Sequence, residues 1–313
     1  MRFAKLLIGA IAAMLLLSSC AFTQKSDGIS IGLSMSSLSG SFFVQMRDGA
    51  QEAADKAGAT LEVQDANKDA FLQADQIDNF LVQDVDAILI NPVDSDSGGA
   101  VVNRVDEDIP IVSLDRGLTD ADPTSAVSSD NIKGGELGAE ALATAMGGKG
   151  EAGQLQGKAG TSSSRERGAG FDKGIEKYPD IEVVAKQPAD FERAKGLDTT
   201  ENMIQANPAI SGIFAENDLM ALGAVVALGD KAGDTVNVIG FDGDPDALNA
   251  VRDGKLYATV AQTPAKIGER AVEAALAALQ GGSPPKEIKI PVQVVTRDNL
   301  DDFIKANPGA LGD

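Results

Sequence analysis

Five apolar segments of the chain are each followed by polar side chains that can hydrogen-bond to a hydroxylated molecule. The polar residues are Asn91, Asp115 with Arg116, Asn217, Asp242 and Gln262. Aspartate accepts hydrogen bonds, arginine donates them, and asparagine and glutamine do both. Such a set can satisfy a ring of hydroxyl groups, each of which donates one bond and accepts others. The chemistry indicated is reversible binding, in which no bond is made or broken.

Catalytic chemistry is disfavoured by the residues that the chain lacks. It contains no histidine, which excludes Ser–His and Cys–His nucleophilic pairs and most transition-metal sites. Asp115 and Asp242 could form the paired carboxylates of a glycosidase. However, Arg116 follows Asp115 directly, and a neighbouring cation favours an ionised carboxylate over a proton donor. The sequence therefore predicts neither an enzyme nor a bound metal or cofactor.

Two short motifs resemble known ion or phosphate sites, but each lacks a residue that the site requires. Gly157–Lys158 resembles the end of a phosphate-binding loop, but Ala159 stands where serine or threonine is needed. The segment 242–246 imitates the start of a calcium loop, but Ala247 occupies the position that requires glycine. We instead expect Asp244 to cap a helix that begins at the following proline.

The N-terminus has the pattern of an export signal. Two basic residues precede an apolar stretch over 6–17, which is too short for a transmembrane helix. The stretch ends in Leu17-Ser18-Ser19-Cys20, which resembles a bacterial lipobox. That resemblance implies a signal peptide over residues 1–19, lipidation of Cys20 and a tether over 20–27. The protein would then be exported and held extracytoplasmically at the cell membrane by its lipid alone. Cys20 is the only cysteine, so no intramolecular disulfide can form.

The charge of the remaining chain also restricts its partners. Without the signal segment there are 25 basic and 47 acidic residues, a net charge of −22. This charge repels phosphate backbones, and no basic stripe offsets it. We therefore expect no nucleic-acid partner. A transcriptional regulator would also need a DNA-binding head ahead of the first strand, where only the signal segment and tether stand.

Strand and helix patterns alternate along the chain from residue 28 onward. Short aliphatic runs read as buried parallel strands, and the predicted strands are 29–35, 60–63, 86–91, 109–114, 153–156, 181–186, 210–215, 236–241 and 258–261. The predicted helices are 43–57, 69–82, one from about 94, 132–146, 165–178, 194–206, 219–228 and 267–279, with an extended segment over 288–295. The rhythm restarts after residue 130. It therefore indicates an α/β protein with two similar, doubly wound parallel-sheet lobes.

Seven segments, in order and at similar spacing, resemble the ribose-binding pattern of the type I periplasmic sugar-binding proteins of ABC importers. They span residues 28 to 295 and are 36–43, 90–96, 114–116, 160–168, 187–191, 216–224 and 240–243.

The resemblance implies two lobes that are joined by a three-strand hinge and close on a monosaccharide. The N-terminal lobe would contain 28–130 plus 263–291, and the C-terminal lobe 131–262 plus 292–313, with crossings near Asn131, Gln262–Thr263 and Val292. Partners would be an ABC permease, or a chemoreceptor or other sensor, and the protein would be a monomer. The implied ligand contacts are Ser36, Phe42, Phe43, Asn91, Asp115, Arg116, Arg167, Phe191, Asn217, Asp242 and Gln262.

One position departs from the ribose-binding pattern. Gly40 stands where that pattern has asparagine, and Ser41 replaces the proline before the paired aromatics. Gly40 offers no side-chain hydrogen bond, so water would take over a contact to the sugar. Ribose is the first expectation for the ligand. Another pentose, allose or an autoinducer-2-like ligand stays open, as does a role as a sugar-sensing ectodomain without transport.

Overall fold

A computed structural model of the chain describes residues 28–312. The predicted signal peptide, Cys20 and the tether lie outside the described residues. Twelve strands are described: β1 Ser30–Met35, β2 Thr60–Asp65, β3 Ala87–Ile90, β4 Ile111–Leu114, β5 Ser125–Ser129, β6 Gly150–Gln156, β7 Ile181–Pro188, β8 Ile210–Ala215, β9 Asn237–Asp242, β10 Ala258–Ala261, β11 Glu287–Ile290 and β12 Gln293–Thr296.

Ten α-helices are described in the same range. They are α1 Ser41–Ala57, α2 Ala70–Val82, α3 Ser95–Val102, α4 Asn131–Ala145, α5 Ser162–Ile175, α6 Arg193–Ala206, α7 Asp218–Leu228, α8 Pro245–Arg252, α9 Pro264–Leu279 and α10 Leu300–Ala306. A 3-10 turn, Gly229–Lys231, follows α7. Within residues 28–312 no helix is both long and apolar enough to cross a bilayer.

The strands form two six-stranded sheets, which confirms the predicted two-lobed α/β fold. The first sheet has the order β11-β5-β4-β3-β1-β2 and defines the N-lobe, and all its pairings are parallel. The second has the order β12-β10-β9-β8-β6-β7 and defines the C-lobe. Its edge strand β12 runs antiparallel to β10, so the second sheet is not purely parallel. The central strands are buried apolar runs because helices cover both faces of each sheet.

The chain passes between the lobes three times. It leaves the N-lobe sheet at the end of β5 and enters α4, which packs on the C-lobe sheet. It returns between β10 and α9, and α9 packs against β3, β4 and β5. The third passage joins β11 of one sheet to β12 of the other. Three separate connections make the hinge, so the lobes can rotate as bodies while their sheets stay intact.

A close helix contact in the C-lobe positions part of the site. At Gly135 of α4, an added Cβ would lie 2.2 Å from the carbonyl oxygen of Arg167 on α5. At Gly170 of α5, it would lie 2.1 Å from the carbonyl oxygen of Ile132. Only glycine permits this separation of the two backbones. The approach brings Arg167 against Asn131 at the start of α4, where the two side chains hydrogen-bond.

Candidate functional site

A cavity of about 510 Å³ lies between the carboxyl ends of the two sheets and is lined from both lobes. Parallel sheets place ligands at this edge, and the volume is in the range of small-molecule sites, roughly 300–1,000 Å³. Ten of the eleven predicted contacts line it: Ser36, Phe42, Phe43, Asp115, Arg116, Arg167, Phe191, Asn217, Asp242 and Gln262. The structure thus brings together residues that lie more than 200 positions apart in the sequence.

The N-lobe wall carries a carboxylate and a guanidinium directly after β4. Arg116 Nη1 donates to the carbonyl oxygens of Pro92 at 2.9 Å and Val93 at 3.2 Å. Its Nε approaches Asp115 Oδ2 at 3.5 Å without a hydrogen bond, and no described residue accepts from this buried atom. Burial lowers the pKa of Arg116, and Asp115 opposes that shift. Arg116 therefore has one buried donor without an acceptor, although the residue itself lines the cavity.

Asn91 differs from the expectation that it contacts the ligand. It is fully buried behind the N-lobe wall and does not line the cavity. Its Oδ1 accepts from Ser36 Oγ at 2.6 Å, and its Nδ2 donates to Asp115 Oδ2 at 3.2 Å. Because these bonds use both ends of the amide, Asn91 orients two cavity residues and has little capacity left for a ligand.

Two phenylalanines at the start of α1 form the apolar part of the N-lobe wall. The rings of Phe42 and Phe43 meet edge to face, with centroids 5.4 Å apart and an interplanar angle of 87°. Arg116 lies 5.8 Å from the Phe43 ring centroid, within cation–π range. At the adjacent N-cap Gly40, an added Cβ would meet only Phe43 Cδ2 at 3.9 Å. The space that a larger residue could fill at this position is open.

The C-lobe wall carries a second guanidinium–carboxylate pair. Arg167 Nη1 donates to the carbonyl oxygen of Glu216 at 2.7 Å and lies 3.4 Å from Asp242 Oδ1. Its guanidinium stacks 3.8 Å from the centroid of Phe241 and 5.8 Å from that of Phe191. Arg167 therefore faces the cleft, where Phe191 and Asp242 join it.

Gln262 and Asn217 complete the C-lobe wall. Gln262 Nε2 donates to Asp242 Oδ1 at 2.7 Å, whereas its buried Oε1 accepts from no described residue. Asn217 caps α7, because its Oδ1 accepts from Met220 N at 3.0 Å. It also lines the cavity, so the cap and the cleft roles coexist in one side chain. Arg116 Nε and Gln262 Oε1 are thus a buried donor and a buried acceptor without described partners, one in each wall.

A cluster of buried carboxyl groups stands behind and beside the C-lobe wall. Asp218 accepts from Thr259 Oγ1 at 2.8 Å and from the backbone N–H groups of Gly243 and Asp244. Burial is the main cause and repulsion from Asp244 the second cause that together raise the pKa of Asp218 to about 7. Burial also raises the pKa of Asp242 well above its ordinary value, with Arg167 opposing the shift. The carboxylates on this side of the cleft are thus held at an electrostatic cost.

Asp244 corrects a detail of the sequence prediction. It stands at the N-cap of α8, with Pro245 first in the helix, but its side chain makes no capping hydrogen bond. Its Oδ1 instead accepts from Ser41 Oγ at 2.6 Å. That bond joins α1 of the N-lobe to the C-lobe at the rim of the cleft, so Asp244 contributes to the contact between lobes rather than to its helix.

Further hydrogen bonds close the opposite rim. Ser95 N donates to the carbonyl oxygen of Gly160 at 3.0 Å, and Ser162 N donates to Ser95 Oγ at 3.1 Å. Gly117 N donates to Ser162 Oγ at 2.8 Å. Because these bonds join Ser95, the first residue of α3, and Gly117 to the segment 160–162 at the start of α5 in the C-lobe, the described conformation is a closed one.

Strained backbone is concentrated at the cleft. Eight described residues other than glycine have a positive φ, and five of these line the cavity: Lys68, Asp115, Asp190, Phe191 and Asp242. The left-handed region is unfavourable for residues with a Cβ, and such strain persists where surrounding contacts fix the backbone. At Asp115 the strain turns the chain sharply after β4 and places the carboxylate in the cleft.

Several cavity residues were missed by reasoning from the sequence. They are Ser37, Ser39, Lys68, Val93, Lys158, Ala159, Ser163, Asp190, Glu192, Lys195, Leu219 and Asp244, together with Gly40 and Ser41, which were noted only as departures. Most stand in loops after strand ends, two or more positions beyond the first polar residue. For Lys158 the sequence does contain a signal, because Gly157–Lys158 resembles the end of a phosphate-binding loop. Among the described residues no acidic, histidine or cysteine cluster could hold a metal ion.

The comparisons with known proteins agree with this geometry. A family model described as a periplasmic binding protein domain matches residues 31–283. The ribose import binding protein of Escherichia coli is 40% identical over 268 residues, covering 85% of this chain and 90% of that protein. The ribose import binding protein of Bacillus subtilis is 41% identical over 268 residues, covering 85% and 87%.

A solved structure gives the same fold with a ligand. It is an ABC transporter periplasmic solute-binding protein from Actinobacillus succinogenes with bound D-allose, at a TM-score of 0.83 and 34% identity, covering 88% of this chain and 99% of that one. Proteins of this kind bind solutes outside the cytoplasm and carry out no catalysis. On its sequence, its two-lobed fold and its interlobe cleft, the chain belongs to the periplasmic binding protein family of type I fold, as a solute-binding component of an ABC transporter.

Proposed function

We propose that this protein is an extracytoplasmic lipoprotein that captures a monosaccharide, ribose first among the candidates, and delivers it to an ABC permease. The observation that carries the proposal is the pairing of Asp115–Arg116 on one wall with Arg167–Asp242 on the other. Two charged pairs that face each other across a closed cleft can bind opposite edges of one hydroxylated ring, with strong charge-assisted bonds.

The free polar atoms of the cleft support the same ligand class. Arg116 Nε lacks an acceptor and Gln262 Oε1 lacks a donor among the described residues, and both atoms are buried. Unsatisfied buried atoms are unfavourable, so each side chain would gain a partner by turning that atom toward a ligand hydroxyl. Phe42, Phe43 and Phe191 line the same cavity and can cover the C–H faces of a sugar ring. The remaining proposed contacts are Ser36 and Asn217, with Asn91 acting from behind the wall.

The relatives bear on the choice of sugar. Ribose is named for the relatives of E. coli and B. subtilis, D-allose for the A. succinogenes structure, and myo-inositol for a structure from Bacillus halodurans. All these ligands are polyhydroxylated. The missing asparagine at Gly40 distinguishes this chain from the ribose-binding pattern, and the open space there admits a larger substituent.

Binding would work by closure of the lobes. With lobe boundaries at 28–130 plus 263–291 and 131–262 plus 292–313, each lobe supplies about half of the contacts. A ligand that touches both walls binds the closed state better than the open one and so shifts the population toward closure. We propose that the permease recognises the closed form and that the protein acts as a monomer, held at the membrane through Cys20.

Calorimetry of the purified protein tests the proposal. The panel is ribose, allose, xylose, arabinose, glucose and autoinducer-2. We expect a saturable heat with at least one sugar, strongest with ribose, and no measurable heat for any of them would overturn the sugar assignment.

A sensor ectodomain is the second candidate, supported by the same cleft, and a neighbouring permease gene would favour transport. For the anchor, Cys20→Ala should release the protein from the membrane fraction.

A further inference from the structure

Two lysines line the cleft from opposite lobes without an acidic partner. Lys68 lies in the N-lobe loop between β2 and α2, and Lys158 lies in the C-lobe loop between β6 and α5. Within residues 28–312 neither lysine forms an ion pair, whereas the other cavity cations are paired. Arg116 lies beside Asp115, Arg167 beside Asp242, and Lys195 beside Asp190 and Glu192.

The two lysines are held differently, because Lys68 has an exposed side chain and only its backbone is fixed. Lys68 has a φ of 65°, and its backbone N–H donates to the carbonyl oxygen of Ser36 at 2.7 Å. Lys158 is half-buried, and the only described hydrogen bond of its ammonium runs at 3.5 Å from Nζ to the carbonyl oxygen of Val93 in the other lobe. At that length the bond is weak, so most of the donor capacity of the Lys158 ammonium is free.

Two cations of the N-lobe repel Lys158. Burial lowers the pKa of Lys158, and repulsion from Arg116 and Lys68 lowers it further. Asp94 and Asp190 act in the opposite direction, but both are engaged elsewhere. Asp94 caps α3 through Ser97, and Asp190 pairs with Lys195. The carboxylates near Lys158 therefore do not neutralise it by direct contact.

Closure of an empty cleft increases the electrostatic repulsion among these cations. Lys158 belongs to the C-lobe, whereas Lys68 and Arg116 belong to the N-lobe, so closing the cleft brings like charges toward one another. Their repulsion disfavours the closed state. A negative group between them converts the repulsion into two attractive contacts, and such a ligand gains differential affinity for the closed state.

We propose that the ligand of this cleft carries a compact oxyanion, a carboxylate or a phosphate, that lies between Lys68 and Lys158. The inference rests on the proposed function, because the ring of the same molecule would occupy the two charged pairs of the walls. Lysine binds such groups as a compact charge with three donors. A sugar acid or a sugar phosphate would then bind more tightly than the neutral sugar with the same ring.

Two matched pairs of ligands test the inference by calorimetry on the purified protein. Ribose against ribose 5-phosphate tests the phosphate, and glucose against glucuronate tests the carboxylate. We expect at least one anionic ligand to bind about tenfold or more tightly than its neutral partner. We also expect that advantage to shrink as sodium chloride is raised, because salt screens the partly exposed lysines.

Lysine variants connect any preference to this pair. Lys158→Gln and, separately, Lys68→Gln should each reduce the ratio of anionic to neutral affinity by about threefold or more. Lys149→Gln is the matched control, because Lys149 is exposed and lies at the other end of the same strand β6. This control should keep the parent ratio.

Three outcomes would overturn the inference, and they separate it from the proposed function. Neutral members that bind as tightly as both anions would remove the inference and leave sugar binding intact. An anion preference that survives both lysine variants would place the oxyanion elsewhere in the cleft. Failure of all four ligands, together with failure of the sugar panel, would overturn the proposed function itself.

Discussion

The two walls of the cleft use the same groups in different electrostatic settings. Each presents an arginine, a carboxylate and a phenylalanine to the cavity. On the N-lobe wall, Arg116 is held by two backbone carbonyls, and Asp115 is held by the amide of Asn91. The groups that fix this pair are therefore neutral.

The C-lobe wall is also held by neutral groups, since Arg167 donates to the Glu216 carbonyl and to Asn131, but it adds further carboxyl groups beside the pair. Arg167 is the cation nearest to Asp242, and repulsion from Asp218 and Asp244 contributes to the raised pKa of Asp242. The two walls thus share a guanidinium–carboxylate pair held by neutral hydrogen bonds, and they differ in the cluster of carboxyl groups beside Asp242. The difference predicts that the C-lobe wall is more sensitive than the N-lobe wall to loss of its arginine and to pH.

The largest expected effect comes from removing each arginine in turn. Arg167→Met should lower the free energy of unfolding by about 3–5 kcal/mol, because it leaves the buried Asp242 without its cation. Arg116→Met should cost less, about 1–3 kcal/mol, because it frees two backbone carbonyls and removes the cation of Asp115, which keeps its hydrogen bond from Asn91. Asp242, by contrast, would be left beside the carboxyl groups of Asp218 and Asp244. Urea unfolding at pH 8 measures both. Arg165→Met is the control, since Arg165 is exposed on the same helix as Arg167, and equal losses at 116 and 167 would contradict the asymmetry.

The buried carboxyl groups should make stability depend on pH. A carboxyl whose folded pKa is raised stabilises the fold fully below its unfolded pKa and loses that contribution as pH rises through the folded pKa. For Asp218 the window runs from 3.8 to about 7. The free energy of unfolding should therefore fall from about pH 5 to about pH 8, by on the order of 2 kcal/mol. Asp218→Asn should flatten that slope, and an identical slope in parent and variant would remove the C-lobe cluster as its cause.

The contacts between the walls can be weakened without touching the cavity. Ser162→Ala removes the acceptor of Gly117 N and does not alter a cavity residue. We expect the affinity for sugar to fall by up to about tenfold, since one hydrogen bond contributes about 0.5–1.5 kcal/mol, and X-ray scattering to show a more open population. Ser283→Ala, at an exposed serine, serves as the control. Unchanged affinity and compactness in Ser162→Ala would show that the rim bonds do not stabilise closure.

The smallest effect on stability is expected at Gly40. The backbone there is extended, with φ of −130°, and an added Cβ is unobstructed, so Gly40→Asn should change the free energy of unfolding by only a few tenths of a kcal/mol. The asparagine would add a hydrogen-bonding group to the N-lobe wall. Calorimetry should then show a preference moved toward ribose, whereas an unchanged preference would mean that position 40 does not choose the sugar.

The fold followed from the sequence where hydrophobic runs were long and continuous. The aliphatic runs of β3 and β8 and the alanine-rich pattern of α1 predicted both their type and their position. The strand β5 was missed because its sequence, Ser-Ala-Val-Ser-Ser, lacks the aliphatic run of a buried strand. Its place is set by pairing with β4 and β11, which are contacts that a local pattern does not contain.

The site was predicted at the strand ends and missed in the loops. The first polar residue after a strand is confined to the edge of the sheet, so Asp115, Asp242 and Gln262 could be assigned to a cleft. Lys68 and Lys158 stand farther along their loops, where direction depends on backbone turns that the sequence does not specify. Asn91 followed the same strand-end rule, yet its hydrogen bonds to Ser36 and Asp115 keep it behind the wall.

The claim that both walls of the cleft bind the ligand is tested most directly by calorimetry. Asp115→Ala and Arg167→Ala are each compared with the parent, using the sugar of the panel that binds most tightly. Each substitution removes one charged partner from one wall. Each variant should lose roughly 2–5 kcal/mol of binding free energy, which raises the dissociation constant about thirtyfold or more. If either variant binds the sugar as tightly as the parent, the altered wall does not bind the ligand, and the claim that both walls do so is wrong.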